Sequence, residues 1–170
     1  GLINQGEILS SGLNEPWGLA VSDDGIVYVA DTWNHRIVKF DSNGKLIDSW
    51  GSFGDGVDLY SMWGPREVTI GPAGLVYVAD TGNKRISVFT QDGIGVRQIG
   101  KGGSFEGELE EPVGIVVGDD ELIYVADTWN ARIQVFTNEG VYLREWAVPE
   151  WEGQSLNNKP YLALDNAGRI

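Results

Sequence analysis

Residues 16–40 read PWGLAVSDDGIVYVADTWNHRIVKF, and this stretch decides the fold because the chain repeats it twice. The second copy, PREVTIGPAGLVYVADTGNKRISVF, occupies residues 65–89, and the third, PVGIVVGDDELIYVADTWNARIQVF, occupies residues 112–136. In every copy the Asp of the sequence VAD follows the first Pro by 15 residues, and the last Phe follows that Pro by 24. Because the copies align without insertions, they are repeats of one structural unit.

Each unit contains four stretches that are typical of β-strands. In the first unit these are residues 18–21, 26–30, 37–40 and 46–50. The hairpin-type sequences DDG and DSNG separate the first stretch from the second and the third from the fourth. The pattern predicts a four-stranded antiparallel sheet in each unit. Its second strand is apolar throughout and must be covered on both faces, as when such sheets pack face to face around a ring. We expect these second strands to run through residues 27–30, 76–79 and 123–126.

The repeats organise the 170 residues as one all-β domain in which helix is nearly absent. Complete units are predicted at residues 16–50, 65–99 and 112–146. A partial fourth unit is expected at residues 160–170, because Gly168 aligns with the turn glycines Gly25 and Gly74. Residues 1–15, which include Glu7-Ile8-Leu9, are expected to supply the fourth strand of a preceding unit.

Composition excludes several classes of function. With 12 basic and 25 acidic residues the net charge is −13, which repels a phosphate backbone, so nucleic acid is not an expected partner. The chain has no cysteine and a single histidine, His35, which leaves no thiolate zinc site, no multi-histidine metal site and no ordinary Ser-His relay. No stretch approaches the roughly 18 consecutive apolar residues of a membrane span, so this segment is not expected to contact a membrane directly.

The segments VADTWNHRIVKF, VADTGNKRISVF and VADTWNARIQVF resemble NHL repeats. The resemblance implies a β-propeller of four-stranded antiparallel blades, in that family usually six-bladed. Six blades of about 48 residues need about 290 residues, so the chain is expected to be about half a propeller. The remaining blades then lie in a larger parent chain or in a second copy. Related propellers are attached to bacterial membrane proteins and sensor kinases and face the outside, so an extracytoplasmic position is one expectation.

A polar set recurs in the turn between the second and third strands, and the resemblance implies that its Asp and Arg brace that turn. Since a device present in every blade serves the blade, we predict structural bracing in preference to catalysis, with the Asn in a left-handed turn position. His35, in the same turn, is expected to be a solvated loop residue. The braces are Asp31, Asn34, Arg36, Asp80, Asn83, Arg85, Asp127, Asn130 and Arg132.

Candidate ligand-binding residues are those that depart from the repeat. The loops at residues 51–64, 101–111 and 147–159 should share one face with the turns between strands two and three, and they are acidic. Tryptophan beside carboxylates suits a cationic peptide, an amine or a sugar ring. Arg66 and Glu67 place charges at the channel mouth in one blade only. The tryptophans predicted for this face are Trp17, Trp33, Trp63, Trp129 and Trp151.

Two functions from different classes remain. The first is a non-enzymatic binding scaffold for a protein, peptide or carbohydrate, with no cofactor and no catalytic residue. The alternative is a metal-dependent hydrolase, lactonase or lyase that uses the central channel. Calcium needs about 6–8 oxygen ligands, whereas the predicted first strands offer almost no inward carboxylate besides Glu67, and a zinc ion would have His35 alone. The first function is therefore favoured.

Overall fold

The computed structural model of the chain describes residues 12–152, 161–165 and 168–170. These residues form three four-stranded antiparallel sheets and one small parallel pair of strands. Helix is confined there to three single turns of 3-10 type, Thr32–Asn34, Thr81–Asn83 and Pro149–Trp151. No helix within the described part of the chain is long and apolar enough to cross a membrane. The predicted all-β class is therefore confirmed.

The strands follow the repeats, with one sheet per unit and sequential neighbours paired in each. Each second strand runs one residue further than predicted and ends on the repeat Asp. Blade 1 contains β1 (Leu19–Val21), β2 (Val27–Asp31), β3 (Arg36–Phe40) and β4 (Leu46–Trp50). The small pair is β5 (Ser52–Phe53) and β6 (Ser61–Met62). Blade 2 contains β7 (Glu67–Ile70), β8 (Val76–Asp80), β9 (Arg85–Phe89) and β10 (Gly95–Ile99). Blade 3 contains β11 (Pro112–Val117), β12 (Ile123–Asp127), β13 (Arg132–Phe136) and β14 (Tyr142–Ala147).

The blades pack face to face, and blade 2 is covered on both sides. Alternate residues of β8 enter different cores. Val76 and Val78 lie in the core between blades 1 and 2, whereas Tyr77 and Ala79 lie in the core between blades 2 and 3. Every residue of β8 is buried, which is why this strand is apolar on both faces. The larger buried partners between blades 1 and 2 are Tyr28, Ile37, Trp50, Met62 and Phe89. Those between blades 2 and 3 are Ile86, Ile99, Leu109, Ile115, Ile123 and Phe136.

The partial fourth unit forms its predicted turn. Gly168 N–H donates to Asp165 C=O and Asp165 N–H donates to Arg169 C=O, both at 2.9 Å, as Gly25 and Ser22 do in the first unit. The described residues of this partial unit, 161–165 and 168–170, carry no strand. Leu162 and Leu164 instead pack against the outer face of blade 3. Pro160 and the predicted strand at residues 7–9 lie outside the described residues.

Candidate functional site

A network centred on one buried carboxylate occupies the turn between the second and third strands of every blade. In blade 2, Asp80 Oδ2 accepts hydrogen bonds from Asn83 Nδ2 and Arg85 Nε, both at 2.9 Å. Asp80 Oδ1 accepts a third bond from Trp63 N–H at 2.8 Å. Asp31 and Asp127 repeat this arrangement within their own blades, where their Oδ2 atoms lie 2.7 Å from Arg36 Nε and Arg132 Nε. The carboxylates therefore bond within the blades.

The predicted left-handed conformation of the turn Asn is wrong, because the left-handed residue is the next one. His35 and Lys84 have φ of 56°, and Ala131 has φ of 49°. The Asn side chain instead spans two elements. Asn83 Nδ2, for example, bonds the Asp80 carboxylate at 2.9 Å and the Ser61 carbonyl at 2.8 Å. This bond requires the Asn to stay in the 3-10 turn, and the following residue reverses the chain.

The braces also hold the loops that enter blades 2 and 3. Arg85 Nη2 donates to the carbonyls of Asp58 at 2.6 Å and Ser61 at 3.0 Å. Arg132 Nη2 donates to the carbonyls of Phe105 and Glu108, both at 2.9 Å. Loops and turns thus share one face of the sheets, as predicted. Burial raises the pKa of Asp80 and Asp127 against the lowering effect of their hydrogen bonds.

A hollow of about 390 Å³ opens on this face at the junction of blades 1 and 2. We call it the loop-face pocket. Two of the predicted tryptophans flank it and stay accessible, Trp33 at 44% and Trp63 at 48% exposure. The buried Arg66 side chain also lines it. The hydroxyls of Thr32 and Thr81 donate to the carbonyls of Pro65 and Pro112. The lining residues are Thr32, Trp33, Trp63, Gly64, Arg66, Thr81, Gly82, Lys84 and Glu111.

The two pocket tryptophans are held in different ways. Trp33 Nε1 donates to the Glu15 carboxylate at 2.9 Å. In blade 2 the residue that corresponds to Trp33 is Gly82, and the Trp63 ring occupies the space. A Cβ atom on Gly82 would lie 2.5 Å from Trp63 Cγ. The glycine in the second repeat thus makes room for a tryptophan supplied by the preceding loop.

The other predicted tryptophans are spread out. Trp17 is half-buried, and the Arg66 guanidinium lies 4.0 Å from its ring centroid. Trp129 is exposed, and its Nε1 donates to the carboxylate of Glu111, a pocket residue. Trp151 packs against the apolar outer face of blade 3. The structure therefore brings Trp33 and Trp63 to the loop-face pocket, places Trp17 and Trp129 in contact with its residues Arg66 and Glu111, and leaves Trp151 packed on blade 3.

The side chains of Arg66 and Glu67 diverge because successive residues of a strand point to opposite sides. Arg66 lines the loop-face pocket, where burial lowers its pKa and the nearby Glu111 raises it. Glu67 lines a separate groove of about 320 Å³ along the first strands, among Leu19, Ile115 and Leu162. Burial in that groove raises the pKa of Glu67 to about 7. The predicted charged pair is thus two separate features.

Several acids of the loops are committed to internal bonds, which reduces the acidic surface that the sequence suggested. Asp58 accepts from the backbone N–H groups of Tyr60 and Ser61 at 2.8 and 2.9 Å, and these bonds lower its pKa. Glu110 lies 2.6 Å from Lys84 Nζ. The described residues contain no group of three or more His, Cys, Asp or Glu that could hold a metal ion.

Sequence reasoning missed four residues at this face. His35 is not a solvated loop residue: its ring is half-buried, and its Nδ1 accepts a hydrogen bond from Gly64 N–H at 3.0 Å. Phe53, Lys84 and Glu111 also border the pocket or its tryptophans. One signal was available for Glu111, since it directly precedes the repeat Pro as Glu15 does, and both have positive φ.

Comparison with known proteins agrees with this architecture. Three solved structures show the same fold, each with the chain covering less than half of its length. Virginiamycin B lyase of Staphylococcus aureus matches with a TM-score of 0.64 and 21% identity over 90% of this chain and 46% of that one. Hydrazine synthase of Kuenenia stuttgartiensis gives 0.61 and 20% identity over 78% and 36%. A nidogen/laminin complex gives 0.59 and 20% identity over 79% and 48%.

No curated protein sequence matches the chain. The repeats themselves, in contrast, match a known family. Residues 13–40, 62–89 and 109–136 fit the family model of the NHL repeat, and each of these ranges ends with the third strand of one blade. The chain belongs to the NHL-repeat family, with its three repeats forming three blades of a β-propeller.

Proposed function

We propose that the chain is a non-enzymatic binding module that holds a protein, peptide or carbohydrate ligand in the loop-face pocket. The observation that carries this proposal is the pair of accessible indole rings, Trp33 and Trp63, on either side of a hollow of about 390 Å³. Exposed tryptophans that flank a concave site are typical of binding surfaces, because each indole offers a large apolar face and one polar N–H group.

The polar groups around the pocket suit orientation of a ligand more than chemistry. Lys84 and Glu111 stand on its rim, and the guanidinium of Arg66 lies beneath. An indole face stacks against a sugar ring or an apolar peptide side chain, and the rim groups can hydrogen-bond its polar parts. The acidic net charge of −13 favours a neutral or cationic ligand.

The position of the pocket within the repeat supports the same function. Gly82 replaces the tryptophan of the other two blades, and Arg66 occupies a position held by Trp17 and Val113. Residues that serve the blade recur in every copy, so the junction where they change is the best candidate for a specific role.

The binding proposal predicts that Trp33→Ala weakens ligand affinity at least tenfold. Loss of an aromatic side chain that the bound ligand covers costs about 2 kcal/mol of binding free energy. Soluble peptides and oligosaccharides are screened for those that move the indole N–H signals of Trp33 and Trp63 in NMR spectra, and affinity is then titrated. Trp146→Ala is the matched control, because Trp146 is 39% exposed but lies on the outer strand of blade 3. Equal effects of both variants would contradict the proposal.

One face of blade 1 stays exposed among the described residues, and it supports a role as part of a larger ring. Leu19 and Val21 are 64% and 57% exposed and pair with Val29 and Val27, on the face opposite the core with blade 2. Apolar faces of this kind recruit a cover. We propose that further blades of a parent polypeptide cover it, and sedimentation of the 170-residue chain separates this source from a second copy.

An enzymatic role in the first-strand groove is the second candidate, and Glu67 is the observation that favours it. Glu67 is a half-buried carboxyl, and a carboxyl with a pKa near neutrality can donate and accept protons at physiological pH. Virginiamycin B lyase shares the fold and is an enzyme by name, and its histidine-to-alanine variant is catalytically inactive. The single histidine here, His35, lines the loop side instead, which is why this candidate ranks second.

Glu67→Gln tests the protonation on which this candidate depends. The folded chain holds the Glu67 proton up to about pH 7, whereas an exposed Glu has released it near its ordinary pKa of 4.5. Wild-type stability therefore decreases as pH rises through this window, and Glu67→Gln is expected to be the more stable chain at pH 8, by on the order of 2 kcal/mol. Urea unfolding at pH 4 and pH 8 measures the difference. A variant with unchanged pH dependence would remove the basis for acid–base chemistry here.

A further inference from the structure

His35, beside the loop-face pocket, joins the repeat turn of blade 1 to the loop that enters blade 2. Its Nδ1 accepts from Gly64 N–H at 3.0 Å, and Gly64 lines the pocket directly after Trp63. The same turn position holds Lys84 in blade 2 and Ala131 in blade 3, neither of which can accept such a bond. The contact is therefore a departure from the repeat.

The His35 ring is also part of a row of aromatic rings along the pocket edge. Its centroid lies 4.9 Å from that of Phe53 and 6.4 Å from that of Trp33, whose plane is perpendicular to it. Phe53 in turn lies 5.8 Å from Trp63. A change in the position of His35 therefore reaches Trp33 directly and Trp63 through Phe53.

The hydrogen bond fixes the protonation state of this histidine. A neutral imidazole accepts at one nitrogen, whereas a protonated one carries hydrogen on both and presents a donor to the Gly64 N–H. Burial lowers the pKa of His35 and the charge of Asp80 raises it in part. Asp80 from blade 2 is already paired with Arg85, and Asp31 on the same turn is paired with Arg36. Phe53 and Gly64, which face the ring from the loop, are uncharged.

We propose that His35 is a positioning residue that holds the Trp63–Gly64 wall of the loop-face pocket when neutral and releases it when protonated. This inference rests on the proposed function of that pocket, and it adds regulation by pH. The closed arrangement is present above the pKa of His35 and is lost as pH falls through that value, below the ordinary 6.5. Trp63 stays attached through its bond to Asp80, so the release changes the pocket wall without detaching the loop.

The proposed effect of His35 protonation is tested on the chain itself, without a ligand. Backbone and indole N–H signals are recorded in NMR spectra between pH 8 and pH 4.5. The Gly64 amide and the Trp63 indole are expected to move with one common midpoint below 6.5, while the Trp50 and Trp146 indoles stay unchanged. His35→Ala should abolish this titration. Its turn should survive because Ala131 occupies the same left-handed position.

A second variant covers the case in which His35→Ala perturbs the fold. His35→Lys follows Lys84 of blade 2, carries a constant charge and accepts no hydrogen bond at the ring position. At pH 8 its Gly64 and Trp63 signals should resemble those of the wild type in acid. The proposal is overturned if the two wild-type signals do not titrate together, or if they titrate equally in the variants.

Binding then separates this inference from the proposed function. For any peptide or oligosaccharide found in the screen, affinity should fall about fivefold in acid, the equivalent of one lost hydrogen bond, and should be independent of pH in His35→Ala. Binding that does not change with pH would overturn the regulation and leave the pocket as the binding site. If no ligand binds, the binding proposal fails and the NMR titration alone decides whether His35 holds the wall.

Discussion

Replacement of Asp80 by Ala is expected to destabilise the chain by about 3–5 kcal/mol, because it leaves the buried Arg85 guanidinium without its anionic partner. Both side chains are inaccessible, with exposures of 3% for Arg85 and 0% for Asp80. Trp63 N–H loses its acceptor in the same step, and Asn83 Nδ2 keeps only the Ser61 carbonyl. The effect should therefore appear in stability and in the order of the loop that carries Trp63.

Urea unfolding measures this effect as a lower midpoint at an unchanged slope. Asp92→Ala is the matched control, because the Asp92 carboxylate is 85% exposed and lies 3.6 Å from Lys39 Nζ. An exposed pair of this kind contributes less than about 1 kcal/mol. Similar losses in the two variants would show that the repeat aspartates do not brace the blades.

The pKa of Asp80 shows that burial and the hydrogen bonds act in opposite directions on its carboxylate. Burial raises this pKa, while Trp63 N–H, Asn83 and Arg85 lower it, and burial is the larger effect. Three partners thus offset only part of the desolvation of the carboxylate. A buried pair of this kind favours one geometry, since removal of either partner leaves a buried charge. It therefore suits a turn that must hold a loop in one place.

The fold could be predicted because the chain contains three copies of one unit, which can be aligned with each other. Three gapless copies place Asp31, Asp80 and Asp127 at equal distances from their first Pro, so each turn and strand is indicated three times. The second strands followed directly from this repetition, and the Asp–Arg braces from the resemblance to NHL repeats. The errors concern single positions, such as the conformation of the turn Asn. Asn is common both as a left-handed turn residue and as a side chain that hydrogen-bonds within a turn, and the sequence does not show which of the two roles it has.

The pocket could be predicted only in outline, because part of its wall comes from a loop without a second copy. Trp33 belongs to a repeat, but Trp63 and Phe53 belong to a loop whose sequence recurs nowhere in the chain. The sequence therefore indicated a tryptophan-rich face without indicating which rings meet. The bond between Gly64 N–H and His35 joins residues far apart in sequence, and a lone histidine in a turn carries no signal of such a partner.

Gly18→Ala is expected to destabilise the junction of blades 1 and 2 by about 2–3 kcal/mol, because the added methyl group overfills a closed contact. A Cβ atom at Gly18 would lie 2.7 Å from the Arg66 carbonyl oxygen and 2.7 Å from Glu67 Cα. Both are backbone atoms, so the clash is relieved only if the first strands of the two blades move apart. The strain then reaches Arg66 in the loop-face pocket and Glu67 in the first-strand groove.

Gly102→Ala is the control that measures the effect of replacing a glycine by alanine where no backbone atom is in the way. It is exposed, and its Cβ would meet the flexible Lys84 side chain at 3.0 Å, so its effect should stay within about 0.5 kcal/mol. If the two variants unfold at the same urea concentration, Gly18 is not in tight contact with the backbone of Arg66 and Glu67. If Gly18→Ala alone is destabilised, and the Trp33 and Trp63 indole signals also shift, the contact between the blades determines the shape of the pocket. The glycine at the entry to the first strand then serves both the packing of the blades and the shape of the loop-face pocket.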